Sequence, residues 1–599
     1  MLKELDVSDE SLWKRRFRSA VIAWSAIASQ NPERGVVCTN KDGIYQLYAW
    51  DVITGDLKQL THHAAGVVFG VISADGNYIY HLDDKEGNEM GHFVRVPFAG
   101  GMPEDLTPDM PDYASWYITE SHNGEVVGFT AAAKEWGFRV YVQDKQGKIL
   151  FTYENTAQSV GPNLSHDGTI AVIANNERSG STDMMLEAYD IKSGQKLGEL
   201  YDGEGISMNP IGFMPKTGSE DYLAKTTQSG FGRPVIWNPR TGERKDIELA
   251  ELEGEITPWD WTEDGRYLLL AQLNQAQYQL HLYDLVDDAL ITLNHPSGTF
   301  SGGYFTKDAI YINMQDSQQP SRLVKLDMQG NVVETILKSG DAPTAKKWES
   351  VTYQSADGTA IQAWLVTPDG DAPFPTIVHT HGGPTAVMTD IYSPALQAWV
   401  DHGFAVFSIN YRGSVTFGKD FEKSIHGHLG DYEVEDIEAG VKWLLDNNIA
   451  HPEMILKTGG SYGGYLTLLA LGKTPDLWAG GMAVVAIADW VLMYEDQAET
   501  LRSYQRALFG GTPDEKPDEM AKSSPITYAE KVKAPIQVIQ GENDTRCPSR
   551  QMKHYEEKMT SLNKHLEMVW FNAGHGSRAM EQSIEHQELK MRFAYRVLG

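Results

Sequence analysis

The sequence predicts a two-part chain: an N-terminal all-β propeller of about seven blades, then an α/β domain built around one sharp strand-to-helix turn. Three observations predict it. Short strand-like runs punctuated by turn residues, with no helical period, extend from about Val36 to Ala345. Two turn motifs echo through that stretch at a spacing compatible with blades of about 40 to 45 residues. Beyond it, a strand-like run ending at Leu456 meets a helical run starting at Tyr465, and Gly459-Gly-Ser-Tyr-Gly463 lies between them. A chain of 599 residues is too long for one core. The expected division is an N-terminal helix over 1–35, the propeller over 36–345 and the α/β domain over 346–599.

At the N-terminus, Trp13, Phe17, Ala20, Trp24 and Ile27 recur at steps of four and three, which makes one apolar helical stripe. That stripe is expected to pack on the α/β domain or on a second subunit, and a homo-oligomer (dimer or larger) is the expected assembly. Lys14, Arg15, Arg16 and Arg18 precede Val21-Ile-Ala-Trp24, as in a signal peptide. The acidic residues Glu4, Asp6, Asp9 and Glu10 ahead of them, and an apolar run broken by Ser25, argue against secretion. No run is long enough to span a bilayer.

The first propeller motif is an x-Asp-Gly turn feeding a β-rich run, as a hairpin requires. It occurs at Ser73-Ala-Asp-Gly76, Ser165-His-Asp-Gly168 and Thr262-Glu-Asp-Gly265. The second occurs at Trp50-Asp-Val-Ile-Thr-Gly55, Tyr189-Asp-Ile-Lys-Ser-Gly194 and Trp237-Asn-Pro-Arg-Thr-Gly242. Because the repeat is degenerate, a pair of β-sandwiches is the alternative architecture.

The G-x-S-x-G turn carries the chemistry. Glycines around a sharp turn avoid clashes with neighbouring backbone, and the turn lifts Ser461 out of the sheet at a helix N-terminus. A serine hydroxyl needs a base to take its proton and an acid to orient that base. In an α/β-hydrolase these follow in the order acid, then histidine, each on a loop after a later strand. Pro535–Gln540 reads as a strand running into Gly541-Glu-Asn-Asp544, and His565–Phe571 reads as the last strand running into Asn572-Ala-Gly-His575. Ser461, Asp544 and His575 are therefore the expected catalytic triad. Upstream, the β-branched run Pro375–Thr380 ends in His381-Gly-Gly-Pro384. The amides of Gly383 and Tyr462 are the expected oxyanion hole.

Composition narrows the setting. Two cysteines, Cys38 and Cys547, fit no disulfide framework, so the cytoplasm is expected, with Cys547 a packed thiol. A net charge of −31 speaks against nucleic acid or an anionic membrane as partner. His426-Gly-His428 near Asp431 lacks a metal-ligand pattern and reads as a structural loop. No metal and no cofactor are expected.

Together, HGGP at His381–Pro384, Asn410-Tyr-Arg-Gly-Ser414, GGSYGGY around Ser461, Glu542-Asn-Asp-x-Arg546-x-Pro548 and Ala573-Gly-His-Gly576 resemble the prolyl oligopeptidase family of serine peptidases. The chain is most similar to its acylaminoacyl-peptidase branch, and the resemblance covers about Trp348 to Gly599. It implies the same triad and oxyanion pair, and a propeller that admits only short peptides or small molecules. It also implies that Arg546 binds a substrate carbonyl; a structural ion pair is the alternative. The dipeptidyl-peptidase branch holds a free amino terminus with a glutamate pair, and no Glu-Glu doublet precedes the catalytic domain. A short, N-acylated peptide is therefore the expected substrate, with a carboxylesterase or small-amide hydrolase using the same triad as the alternative. A non-catalytic scaffold is the other class, disfavoured by the intact triad. Trp490 and Tyr494, with Val491 and Met493, line the S1 pocket or belong to the core.

Overall fold

A computed structural model describes residues 2–599. Five four-stranded sheets and one nine-stranded sheet precede an eight-stranded sheet. The nine-stranded sheet holds two blades, joined by the short strand Tyr113–Ala114, which pairs with Met90–Pro97 and Val126–Ala133. The propeller therefore has seven blades. Each blade uses consecutive strands, so the ring closes by contacts between the first blade and the last rather than by strand exchange. At that seam the Ser321 hydroxyl donates to the Ile22 carbonyl at 2.6 Å, and the Ile22 amide donates to the Ser321 carbonyl at 3.1 Å.

The two echoing motifs are the hairpin turns of the blades. In the first, the Ser or Thr hydroxyl donates to the Asp two residues on, at 2.7 Å in Ser73–Asp75, 2.8 Å in Ser165–Asp167 and 2.6 Å in Thr262–Asp264. The closing glycine lies at φ 71°, 71° and 75° respectively, a conformation that side chains resist. This turn joins the first two strands of blades two, four and six. The second motif joins the third and fourth strands of blades one, four and five.

The apolar stripe at the N-terminus does not form one helix. A helix spans Leu12–Phe17, and Ile22–Ile27 is a β-strand, the first of blade one. The propeller thus begins at Ile22 and not at residue 36. The neighbouring strand Arg34–Thr39 is buried along most of its length and needs partners for its backbone groups on that edge. Pairing there outweighs the helical period of a short segment. The helical part of the stripe packs on the hydrolase domain of its own chain. Trp13, 1% exposed, lies in one apolar layer with Trp399, Phe404 and Phe593, and Arg16 pairs with Asp401. Where the chain enters the propeller and where it leaves, the two crossings run side by side. The Gly340 amide donates to the Ala20 carbonyl at 2.8 Å, and the Ser19 hydroxyl donates to the Gly340 carbonyl at 3.0 Å.

The C-terminal sheet is an α/β-hydrolase sheet. Two antiparallel strands, Glu349–Gln354 and Ala360–Val366, lead into parallel strands in the spatial order Ala405–Asn410, Phe374–Thr380, Ala450–Gly460, Gly480–Val484, Ile536–Gly541 and Leu566–Phe571. Helices cover both faces, so the strands are apolar throughout rather than alternating. Chain order reverses around Phe374–Thr380 and Ala450–Gly460, and the crevice at the carboxyl ends of such strands is where α/β sheets place their ligands. No helix among the described residues is long and apolar enough to cross a membrane.

Removing the Trp13 side chain leaves a cavity in the layer beneath the N-terminal helix. Trp13→Ala should destabilise the protein by about 3 to 5 kcal/mol, read as a lowered urea midpoint. A change within about 0.5 kcal/mol, the usual range for a surface substitution, would show that the helix is not part of the core.

Candidate active site

Ser461 follows the strand Ala450–Gly460 and caps the helix Tyr462–Lys473. Its backbone is at φ 56°, ψ −122°, outside the regions open to ordinary side chains. Packing holds it there. A Cβ on Gly463 would sit 2.1 Å from the Thr380 carbonyl oxygen and 2.8 Å from that of His381, so only glycine fits beneath the turn. The Ser461 amide donates to the Val484 carbonyl at 2.9 Å, which ties the turn to the next strand.

Asp544 and His575 stand on the loops after Ile536–Gly541 and Leu566–Phe571. His575 Nδ1 and Asp544 Oδ2 are 2.8 Å apart, and the Asp544 side chain is buried. The other carboxylate oxygen accepts the amides of Arg546 at 2.8 Å and Cys547 at 2.9 Å, so the acid is held by its own loop. The Ser461 hydroxyl lies against the Cys547 thiol. That thiol, the Asp544 carboxylate and the His575 imidazole place one ligand atom each within 4.8 Å of one another. Ser461 makes no hydrogen bond to His575; in ligand-free sites such bonds are often long and tighten on substrate binding. Burial and the Asp544 charge push the Cys547 thiol well above its ordinary value, which suits a packed thiol. His426 and His428 join no cluster of three metal-ligating groups among the described residues.

The HGGP loop lies against Ser461. A Cβ on Gly382 would come within 3.3 Å of the Ser461 Cβ. The Gly383 amide donates to no backbone carbonyl, and the Tyr462 amide is in the first helical turn, where amides lack intrahelical partners. The two loops are clamped together from behind. Tyr411 stacks on His381 with ring centroids 4.5 Å apart and lies 6.2 Å from Tyr462, and its hydroxyl donates to the His381 carbonyl at 2.9 Å. The Tyr462 hydroxyl donates to Glu433 Oε1 at 2.6 Å. Glu433 is fully buried, and burial pushes its carboxyl up to about 7 against the pull of Tyr462 and the Gly430 amide.

The propeller reaches the loop that carries Asp544 through the hairpin tip at Glu86–Glu89. The Asn543 side chain donates to Glu86 at 3.1 Å, and the Thr545 hydroxyl donates to the Asn88 carbonyl at 2.8 Å. Arg546 makes a bidentate pair with Glu89, 2.7 Å from Nε and 2.7 Å from Nη2, and stacks over Trp116 at 5.0 Å. Burial raises the Glu89 carboxyl, and Arg546, Arg578 and His575 together outweigh it, so it is held below the usual range. Sequence reasoning missed Glu89 and Glu433. Glu89 lies in an ordinary polar hairpin tip and Glu433 in an acidic first helical turn, and neither pattern signals burial. Trp490 is 2% exposed and packs on Tyr462, Tyr465 and Phe509, a core position directly behind Tyr462. The Tyr494 hydroxyl accepts from Arg506 at 3.2 Å, and Arg502 lies over its ring.

An α/β-hydrolase sheet with a strand–turn–helix at Ser461 is combined with a seven-bladed propeller. Residues 391–599 match the model of the Prolyl oligopeptidase family. The chain is 24% identical to dipeptidyl aminopeptidase BIII of Pseudoxanthomonas mexicana, over 95% of this chain and 87% of that one. It is 29% identical to the acylamino-acid-releasing enzyme of Rattus norvegicus, over 37% of this chain and 31% of that one. A solved puromycin hydrolase shares the fold with a TM-score of 0.84 at 18% identity, covering 98% of this chain and 96% of that one. The Pyrococcus horikoshii acylaminoacyl peptidase does so with a TM-score of 0.72 at 18% identity, covering 98% and 97%. The match to the prolyl oligopeptidase family lies in the C-terminal domain, and the relatives the chain resembles are serine peptidases.

Glu433 makes stability depend on pH. Its folded value of about 7 lies above the ordinary 4.5, so between those values the native state binds more protons than the unfolded chain. Stability therefore falls as pH rises through that window, by on the order of 3 kcal/mol. Glu433→Gln should flatten the decline when urea midpoints at pH 5 and pH 8 are compared. Parallel declines in both proteins would refute the assignment.

Proposed function

We propose that the protein hydrolyses short, N-acylated peptides by covalent acyl transfer from Ser461. His575 takes the proton as the Ser461 hydroxyl attacks the carbonyl carbon, then passes it to the departing amine. Asp544 holds the imidazole tautomer and stabilises its positive charge. The amides of Gly383 and Tyr462 bind the tetrahedral oxyanion, worth roughly 3 kcal/mol per donor. Water then attacks the acyl-enzyme, with His575 again the base. One observation carries this reading: the 2.8 Å contact between His575 and a buried Asp544, beside a serine on a strained turn.

The charges beside the triad support a blocked amino terminus. Glu89 is engaged by Arg546 and has Arg578 within 3.6 Å, so two guanidinium groups face one carboxylate. Such a cluster repels an ammonium and suits a neutral acyl carbonyl. Arg546 spends Nε and Nη2 on Glu89 and keeps Nη1, the group we assign to that carbonyl. A second reading, cleavage behind a free amino terminus held by Glu89, is favoured by the similarity to dipeptidyl aminopeptidase BIII over 95% of the chain. Two free, buried cysteines support a cytoplasmic setting.

Ser461→Ala should abolish labelling by an organophosphate and lower kcat by at least about 10⁴-fold in a folded protein. Labelling retained at another serine would overturn the assignment. Turnover of an acylated amino-acid anilide should exceed that of a free dipeptide anilide and of a p-nitrophenyl ester. Arg546→Met should lower kcat/KM on the acylated anilide by about tenfold or more. Preference for the free dipeptide would replace this reading with the second.

A further inference from the structure

Lys457 is a buried lysine that the proposed chemistry leaves unused. It lies on the strand that runs into the turn at Ser461 and is 0% exposed. In the sheet it stands beside Val378, and Thr380 follows Val378 on the same face of the neighbouring strand. Burial pushes the Lys457 amine well below the ordinary lysine range, and no acidic group opposes that shift. Two histidines that feel its charge, His379 and His381, are themselves driven down by burial, to about 3 and about 4. An ammonium carries three donors, and a neutral amine carries two. Two acceptors face Lys457: Thr380 Oγ1 at 2.6 Å and the Thr458 carbonyl at 3.1 Å. The neutral form is satisfied there, whereas the ammonium would bury a proton without a partner.

These bonds lead to both halves of the site. A hydroxyl that accepts from Lys457 sends its own proton elsewhere, and the Thr380 hydroxyl donates to the Gly463 carbonyl at 3.3 Å. Thr380 ends its strand and is followed directly by His381-Gly-Gly383. Gly463 lies in the first turn of the helix that starts at Tyr462. Lys457, Thr380 and Gly463 therefore form one hydrogen-bonded line beneath the Gly383 and Tyr462 amides. Packing alone does not call for an amine here. Ile455 and Leu456 fill the preceding positions of the strand as buried apolar residues, and an apolar side chain at 457 would avoid the cost of desolvating a polar group. What the amine adds is the orientation of the Thr380 hydroxyl.

Resting on the Gly383 and Tyr462 amides as the oxyanion hole, we propose that Lys457 is a positioning residue for that hole. Acting through Thr380, it sets the spacing between the His381-Gly-Gly383 loop and the start of the helix. It touches neither the substrate nor the reacting atoms.

The test uses the full-length enzyme, an acylated amino-acid anilide and an organophosphate. Lys457→Met keeps the volume and removes the donors. It should lower kcat by about tenfold with KM within about twofold, and slow labelling of Ser461 by about tenfold, because the phosphoryl oxygen uses the same two amides. The urea midpoint should hold or rise, since Met brings no polar group to desolvate. Thr380→Val should lose kcat to the same extent, and the double variant should lose no more than either alone, as members of one line do. Thr380→Ser keeps the hydroxyl and should restore kcat to within about threefold of wild type. If Lys457→Met and Thr380→Val both leave kcat and labelling within about twofold of wild type, or lose activity only in step with stability, Lys457 merely fills space and the proposal falls. The labelling arm does not depend on which peptide the enzyme prefers. If the wild-type enzyme is not labelled at Ser461, the assignment of Ser461 falls first, and the role of Lys457 with it.

Discussion

The site depends on one close approach, that of the Gly463 backbone to the carbonyl oxygens of Thr380 and His381. It brings the start of the nucleophile helix onto the end of the neighbouring strand and leaves the chain a single residue in which to turn. Ser461 takes that turn at a positive φ, at a cost of order 1 to 3 kcal/mol. The helix Tyr462–Lys473 offsets the cost, since it is buried on every side from Tyr462 to Gly472. The same approach sets His381-Gly-Gly beside the serine. Ser461 and the His381-Gly-Gly loop are therefore positioned by one contact, and a methyl group at Gly463 would displace both.

The remaining members of the site are held by the other domain as much as by their own. A Cβ on Gly574 would come 1.9 Å from the Gly87 carbonyl oxygen, so the histidine loop and the propeller hairpin touch backbone to backbone. Arg546 and Thr545 grip the same hairpin from the aspartate loop. Asp544 and His575 thus rest between their own strands and a loop more than 450 residues away in sequence, as the Thr545–Asn88 separation of 457 residues records. The propeller therefore helps to position the loops that carry Asp544 and His575.

The sequence is legible where local physics dominates. The Ser-x-Asp-Gly turns carry their own hydrogen bonds, and they reported the blades correctly. The strand–turn–helix around Ser461 and the strand-end loops at Asp544 and His575 are likewise local patterns, visible in order along the chain. What was misread or missed depends on distant partners. Trp24 and Ile27 continue a helical period, yet the free edge of Arg34–Thr39 draws them into a strand. Arg546 gives no sign in the sequence of its partner Glu89, 457 residues earlier. Glu433 looks like any first-turn acid and becomes a buried one through the packing of Tyr462 and Tyr411 above it.

The paired crossings at Ala20 and Gly340 have a mechanical consequence. The propeller hangs from the hydrolase domain by two chain segments, and these are zipped to each other along one border. Two tethers that lie together behave as a door hinge. The remaining contacts between the domains are side chains and loop tips, among them the backbone bonds Met580–Gly43 and Lys419–Gly230, which must break before the two bodies part. Any swinging motion must pivot about that border, and the rim opposite it gapes first.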